Sequence, residues 1–555
     1  MASDTSLFRQ LRAFDAVFWI CILMELMERM AYYGVRLVVP VYVVLSNNEG
    51  GPGISHSEKG TLLALWAATQ SWLPTFAGGL SDRFGYKRTI AVSVLLKAGG
   101  YAMMATADGW WGMLLGTQLL AAGTGLFKPG IQGTLAHSIA KAPGAASVGW
   151  GLFYQSVNVG AAVAAFIPAF VRKDLGLGWG GVFAACSLIV LSNLIPLFFY
   201  EDPKDERQKT ADTRSGFALV VESVTEVFTS PVLLGFIFIS AGFWFGFHQF
   251  FDMLPNYVDD WTDSSGLLAG LGALFGQEDW VAAGRAGTNI DQERLLNLNA
   301  ILIMTTMFVV AWLSSRLSTL GSTMLGMGIA SLAMLAFVWT ADVGVVLAGV
   351  AAFTVGEMLS SPKRQEYMSS LAPPGKRALY LGYANMPDGI GWVLGNLVAG
   401  AAYEEKGDKI NLARRLLTER GADDAVRAAE AWITGARSGA VPESALAELA
   451  KAAEAPTPAA ALDALSALQG DALVDRLAAV LPRGQVLEFT LRAFPSLPDG
   501  APMTAAGLRD WLYAVYQPGQ VWWTFIAIGL LSTVGMALYD RWARARVAAS
   551  QASAA

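Results

Sequence analysis

The chain has 555 residues, 54% of them hydrophobic and only 15% charged, with a net charge of −6. A wholly soluble chain of this length carries roughly 25% charged residues, so that class is excluded, and an acidic balance without a basic tract argues against nucleic acid as a partner. The two cysteines, Cys21 and Cys186, lie within apolar runs and make neither a disulfide framework nor a structural zinc site.

Continuous apolar runs of about twenty residues, the length of a bilayer-crossing helix, recur along the chain. They do not alternate, so they read as helices and not as barrel strands. The opening MASDTSLFRQLR lacks the apolar core and small-residue cleavage site of a signal peptide, and the first span is expected to be retained. Twelve spans are expected, near 14–46, 58–80, 88–107, 111–136, 147–170, 179–200, 231–252, 296–316, 321–340, 343–361, 378–402 and 519–540. The short loops after even-numbered spans hold Arg83, Lys87 and Arg88, then Lys141, then Lys204, Arg207, Lys209 and Arg214, then Lys363, Arg364, Lys376 and Arg377. The tail adds Arg541, Arg544 and Arg546, whereas the opposite short loops offer little beyond Arg172 and Lys173. The positive-inside rule then puts both termini in the cytoplasm of a multi-pass cell-membrane protein, of a composition that suits a bacterial inner membrane.

Two longer segments fall on the extracytoplasmic side. One is 253–295; the other is 403–518, where 443-ESALAELAKAAE-454 and 471-DALVDRLAAVL-481 have helical periodicity. This insert reads as a small helical module with no catalytic cluster, and it suits a structural or assembly role or the capture of a partner or substrate. No partner for it is identified. The loop 80-LSDRFGYKR-88 finds an echo in 313-LSSRLSTLG-321, where two duplicated six-helix halves would place it. The expected division is therefore 1–200 for the first half, 201–230 for a cytoplasmic linker and 231–402 for helices seven to eleven. The insert follows at 403–518, then helix twelve at 519–540 and a tail at 541–555.

The first span contains 25-ELMERMAYYG-34. Residues three and four apart share a helix face, so Glu25, Arg29, Tyr32 and Arg36 form a stripe with Glu28 beside it. Each such charge costs about 2.5–3.5 kcal/mol at mid-bilayer, so the cluster must face protein or a water-filled cavity, with its signs paired. Lys128 lies in 123-GTGLFKPGIQG-133, Glu357 in 353-FTVGEMLSSP-362, Asn158 in 153-FYQSVNVG-160 and Asn299 in 295-LLNLNAILI-303. His248, in 243-FWFGFHQF-250, belongs to the side-chain type that titrates near neutrality. Cations on one half and a carboxylate on the other could hold a zwitterion between them, and glutamates that re-pair with Arg29 or Lys128 could link protonation to which side is open.

These stretches resemble a known family. ELMERMAYYG is similar to the E-x-x-E-R-x-x-Y-Y-G signature of proton-dependent oligopeptide transporters, a branch of the major facilitator superfamily. The loop 78-GGLSDRFGYKR-88 resembles the superfamily's cytoplasmic loop motif. GTGLFKPG, FYQSVNVG, FWFGFHQ, 356-GEMLSSPKRQEYMSSLAP-373 and 378-ALYLGYANMPDGIGWVLGNLVAG-400 follow in the family's order. The resemblance implies an all-α integral membrane protein with the major facilitator fold: twelve helices in two six-helix halves, with the helical insert added. It implies proton coupling by Glu25, Glu28, Arg29, Lys128 and Glu357. Substrate contacts would come from Tyr32, Arg36, Lys128, Asn158, Asn299 and Glu357, and gating from Asp82 and Arg83. Gln155, Ala162, His248, the stretch FFDMLPNY after Gln249 and the insert depart from the family pattern, and the 30-residue link leaves no room for extra helices between the halves.

The implied function is a proton-coupled symporter that imports di- and tripeptides by alternating access, with protons, a short peptide and the lipid bilayer as partners. Transport of another small zwitterionic or anionic solute, or a transporter-like sensor or assembly protein, are the alternatives. No nucleophile–base pair, metal spacing or phosphate loop is present in the extramembrane segments, so neither an enzyme, a metal nor a cofactor is expected.

Overall fold

Local capping chemistry divides the apolar sequence into separate helices. The structure is a computed structural model that describes residues 7–199, 225, 227–372, 380, 383–419 and 423–554. Asp15 accepts the Phe18 N–H at 3.0 Å and opens α1, Ala16–Arg36. Ser55 and Glu58 cap each other's backbone N–H groups at the start of α2, His56–Phe84. A single residue, Gly85 with φ +91, separates α2 from α3, Tyr86–Ala105, a conformation that a side chain would strain. α4 (Gly109–Ala140), α5 (Ala146–Ala164) and α6 (Gly178–Leu191) follow.

The second half opens with α7, Pro231–Phe247, where Ser230 caps and Pro231 takes the first helical position. It continues with α8 (Leu298–Ser314), α9 (Thr319–Ala333, capped by Ser318), α10 (Val343–Leu371, capped by Asp342), α11 (Met386–Lys406) and α12 (Trp523–Ala554). Among the described residues, seven helices are long and apolar enough to cross a membrane by length and composition, from Val148–Asp174 to Pro518–Arg546. α1 to α4 and α11 have comparable lengths, 20 to 32 residues, and α1 to α4 carry much of the intramembrane charge.

The packing has two-fold character. α1 packs on α5 and α6, and α3 on α4 and α6; in the second half α7 packs on α11 and α12, and α9 on α10 and α12. Between the halves, α2 meets α11 and α5 meets α8. Counted within each half, that is second with fifth and fifth with second, which is what a two-fold relation between two six-helix units requires. At the α2–α11 crossing the backbones touch. A Cβ on Gly60 would sit 2.5 Å from the Asn396 carbonyl oxygen, and one on Gly400 2.6 Å from that of His56.

Residues between α7 and α8 are helical rather than open loop: Leu254–Trp261 prolongs α7, and Ser265–Phe275 and Glu278–Arg285 pack as a hairpin. α11 runs on to Lys406, past the expected start of the insert. Among its described residues the insert contains seven helices, from Lys409–Glu419 to Ala505–Tyr516, whose apolar faces close on Leu416, Leu449, Leu477, Val486 and Phe489. Nearly all of the expected linker 201–230, with Lys204, Arg207, Lys209 and Arg214, lies outside the described residues, as do Lys376 and Arg377.

Gly60→Val should force α2 and α11 apart, at a cost of about 1–3 kcal/mol for overpacking. A lower melting temperature of the detergent-purified chain is the expected outcome, with Gly99→Val, where a Cβ would meet open space, as the tolerated control.

Candidate functional site

α1 carries its charged stripe into the centre of the first half. Glu28 ion-pairs with both Arg29 and Lys97, and all three side chains are buried. Glu25 stands 3.5 Å from Arg29 Nε. The set Glu25, Glu28, Arg29 and Lys97 is therefore neutral in sum, which is how four charges can share a low-dielectric interior. Its two carboxylates are not held alike. Glu28 has two cations, whereas Glu25 Oε2 is buried with no hydrogen-bond partner, as is Arg29 Nη2. The Arg29 guanidinium also lies 4.6 Å from the Tyr32 ring centre.

Lys97, in α3, was not singled out in the sequence, where Lys128 is the expected partner. The structure gives Lys97 that position. Its stem runs past Gly123 of α4, where a Cβ would come within 2.6 Å of Lys97 Cγ, and its ammonium lies 4.4 Å from the Phe127 ring centre. The glycine of GTGLFKPG thus makes room for a lysine from the neighbouring helix. Lys128, one residue past Phe127, is exposed and makes no ion pair among the described residues.

At the end of the molecule that carries the insert, polar contacts join the halves. Arg36 of α1 ion-pairs with Asp252 and donates to the Phe251 carbonyl at 3.4 Å. Asp252 also accepts from Trp392 Nε1 of α11 at 2.6 Å. Lys59 of α2 donates to Asn256 Oδ1 at 2.6 Å. Gln292 donates to the Leu37 carbonyl at 2.9 Å and Asn297 to that of Ala162 at 3.0 Å, while Asp291 takes Arg172 at 3.3 Å and Lys173 at 2.7 Å. These contacts close the insert face. Arg36, implied to contact substrate, is here engaged in that closure.

The other implied residues divide between the two walls. Tyr32 shares Gln70 with Trp66 through bonds of 3.0 and 2.9 Å. In the second half, Asn299 donates to Glu357 at 2.9 Å and to Thr354 at 3.0 Å. Asn158 donates within its own helix, to the Tyr154 carbonyl at 2.9 Å. His248 ends α7, and its Nε2 stands 3.0 Å from Asp388 Oδ1 of α11. Asp82 and Arg83 fall in the last turn of α2, and their side chains lie outside what is described.

The insert is built into the second half and reaches the first. Trp261 Nε1 donates to the Gly407 carbonyl at 2.8 Å, Lys409 to that of Asp260 at 3.0 Å, and Tyr257 and Tyr513 share a bond of 2.7 Å. Toward the first half, Asp408 takes a bidentate bond from Arg483 at 2.7 and 2.8 Å and stands 3.6 Å from His56. Glu448 accepts the Asn47 N–H at 3.0 Å, and Glu404 that of Ser57 at 3.1 Å.

Two helical halves related by a two-fold pattern of contacts, with a neutralised charge cluster inside one of them, have the arrangement of the major facilitator fold. The Major Facilitator Superfamily sequence profile matches residues 19–278. Among individual proteins, the likeness is to peptide transporters. The chain is 32% identical over 197 residues to dipeptide and tripeptide permease A of Proteus mirabilis (strain HI4320), which is 34% of this chain and 37% of that protein. It is 28% identical over 169 residues to the di-/tripeptide transporter of Lactococcus lactis subsp. cremoris, 30% and 34% of the two chains. These alignments span only about a third of the relatives' length. The fold is similar to that of the peptide transporter POT solved in complex with sulfate, with TM-score 0.56 and 16% identity over 70% of this chain and 90% of the other. It is also similar to a POT family transporter solved with 5-aminolevulinic acid, with TM-score 0.57 and 15% identity over 73% and 91%.

Two outcomes follow from the charges. Lys97→Met leaves Glu28 with one cation fewer and should destabilise the chain by about 3–5 kcal/mol, as removal of one buried partner does. The double variant Lys97→Met/Glu28→Gln keeps the cluster neutral and should recover most of that loss in thermal melts. At the insert, burial raises the Asp408 carboxyl, but the Arg483 charge, the His56 contact and the two Arg483 bonds outweigh it and hold the group well below the usual carboxylate range. The stability from such a depressed group is fully present above the unfolded value of about 3.9 and is lost only as pH falls through the lower folded value. Hydrogen exchange around Arg483–Ala493, corrected for intrinsic rates, should therefore be as slow at pH 5 as at pH 8 in the intact chain. Arg483→Met should speed it at both.

Proposed function

We propose that the chain is a proton-coupled symporter that imports di- and tripeptides by alternating access. The observation that carries this reading is the asymmetry inside the neutral cluster. Glu28 is fixed by Arg29 and Lys97, while the partnerless Glu25 Oε2 leaves a carboxylate able to take up a proton. A proton there would release Arg29 from one of its two anions and loosen α1, the same helix that reaches the insert-face closure through Arg36. Lys128 on the first wall and Glu357 on the second offer a cation and a carboxylate to the two ends of a peptide. The relatives named as permeases of di- and tripeptides support peptides as the substrate class.

With the topology expected from the loop charges, the insert face is extracytoplasmic, all twelve long helices span a bacterial inner membrane, and the closure makes this the inward-facing state. The insert then serves as an outer strut. It moves with the second half, and its bonds to Asn47 and Ser57 add to the closed arrangement. A second reading, transport of a different small zwitterion by the same site, has the neighbour solved with 5-aminolevulinic acid in its favour.

In liposomes with an inward proton gradient, labelled dialanine should accumulate with the intact chain and not with Glu28→Gln or Glu25→Gln. Deletion of residues 403–518 should leave uptake gradient-dependent. Failure of the intact chain to accumulate dialanine or to be inhibited by any of a panel of di- and tripeptides would remove peptides as the substrate.

A further inference from the structure

The hairpin between α7 and α8 lies outside both the closure and the charge cluster. Its first helix, Ser265–Phe275, reads SGLLAGLGALF and carries no charge. An apolar helix of this length is too short to cross a bilayer, so it belongs either to a protein core or to a membrane surface. The core is excluded, because Leu274 is 75% and Phe275 64% exposed. Small residues set that orientation. A Cβ on Gly272 would lie 2.7 Å from the Val281 backbone nitrogen, and one on Gly284 2.6 Å from that of Ala269, so the two helices of the hairpin meet through glycine and alanine. Leu267, Leu268, Leu271, Leu274 and Phe275 share the face turned away from that contact. Of these, Leu267, nearest the base, packs on the core of the second half.

The second helix, Glu278–Arg285, completes an amphipathic unit. Trp280 and Val281 turn toward the first helix, whereas Glu278, Asp279, Ala282 and Arg285 are exposed. One helix of the hairpin is thus uncharged and the other carries its charges. The base lies at the level where the long helices end. Asp263 accepts the Ser265 N–H at 2.9 Å and opens the first helix, as Asp342 opens α10, and a backbone bridge joins the two aspartates. Close to Asp342, the exposed Trp339 meets Trp523 at the start of α12, with ring centres 5.4 Å apart. Tryptophans exposed at the ends of spans mark the boundary between lipid and water. Arg509 of the insert pairs with Asp263 at 3.2 Å, so the same base also holds the insert.

We propose that the hairpin 264–287 is a membrane-surface anchor, whose leucine and phenylalanine face lies in the lipid of the leaflet on the insert side. The occupant of that face is lipid because the hairpin starts beside Asp342, at the height where Trp339 and Trp523 bound the apolar belt of the long helices. A helix with one apolar side and its charges on the opposite side of the unit lies in the plane of the interface. Charge adds nothing to the attachment. Glu278 and Asp279 outnumber Arg285, so the hairpin has no draw toward anionic headgroups and is held by its apolar face alone. Asp263 ties the hairpin to both α10 and Arg509, so lipid steadies the base on which the insert stands. The anchor then keeps the insert at a fixed height above the bilayer when the halves move. This inference rests on the chain crossing a membrane and not on what it transports.

Cys21 and Cys186 are buried, so an added surface cysteine takes the label. Full-length protein with Leu274→Cys is coupled to a fluorophore, placed in phosphatidylcholine nanodiscs and exposed in turn to a lipid bearing a nitroxide near the top of its acyl chain and to aqueous iodide. Ala282→Cys, on the charged helix, is the reference. The nitroxide lipid should quench the label at Leu274→Cys at least about twofold more than that at Ala282→Cys, and iodide should show the reverse order. Quenching of both labels by iodide and of neither by the nitroxide lipid would put the hairpin in water and overturn the proposal. Protection of the Leu274→Cys label from both quenchers would mean that protein covers this face, a second copy or another chain, and would overturn it equally. If Leu274→Cys does not fold, Phe275→Cys on the same face decides by the same criteria. Neither quencher reports on transport, so failure of dialanine uptake would count against the proposed function alone.

Discussion

Charge neutrality inside the first half is the constraint on which the rest depends. An ion taken out of water costs several kcal/mol even after relaxation, and removing one partner of a buried pair leaves that cost uncompensated. Glu25, Glu28 and Arg29 on α1 sum to one negative charge, and Lys97 on α3 restores zero. The balance in turn dictates the packing. α3 and α4 must approach closely enough for the lysine stem to pass Gly123, and α1 must present its charged face inward and not to lipid. A cluster so balanced tolerates the movement of one proton far better than the loss of a side chain, and for that reason the same residues can be both structural and functional.

The second constraint is geometric. α2 against α11 and α5 against α8 are the two crossings through which the halves meet, and backbone contact at Gly60 and Gly400 makes the first of them close. Polar ties gather at the insert end: Arg36 with Asp252, Lys59 with Asn256, and Asp291 with Arg172 and Lys173. Each is a pairing between groups that would be exposed to water if the halves parted there. The closure is therefore reversible in principle, unlike a packed apolar interface of similar extent, because its groups can exchange one another for water at modest net cost.

Much of this was legible in the sequence, for a physical reason. The α1 stripe follows from a 3.6-residue period that needs no partner to be recognised, and the length of apolar runs locates most of the long helices. Partners were harder. Lys97 sits alone in an otherwise apolar stretch, and nothing local distinguishes a lysine that pairs with another helix from one that snorkels; Gly123 opposite it was the available signal. Asp252 and Lys59 lie near span ends, where a charge needs no explanation, so their role in joining the halves emerges only in three dimensions. Asp388 was hidden in NMPDGIG, where the proline and glycines draw attention to backbone and not to the carboxylate. Periodicity identifies faces, whereas pairing depends on which faces the topology brings together.

The insert is held to the long helices by a different kind of balance. Asp408, just past α11, is locked by the bidentate Arg483 guanidinium, a group that stays charged at every pH the protein meets. The pair lies where α11 passes into the insert, so the carboxylate that begins the insert is tied to a helix residue 75 positions further on. Because the Asp408 carboxyl sits well below the usual carboxylate range, acid does not break that tie until the pH falls below the value at which an unfolded aspartate would already be protonated. A permanent ion pair of this kind fixes where the insert stands, whereas the contacts of Arg36, Lys59 and Asp291 join the halves through separate pairs whose groups can each be exchanged for water.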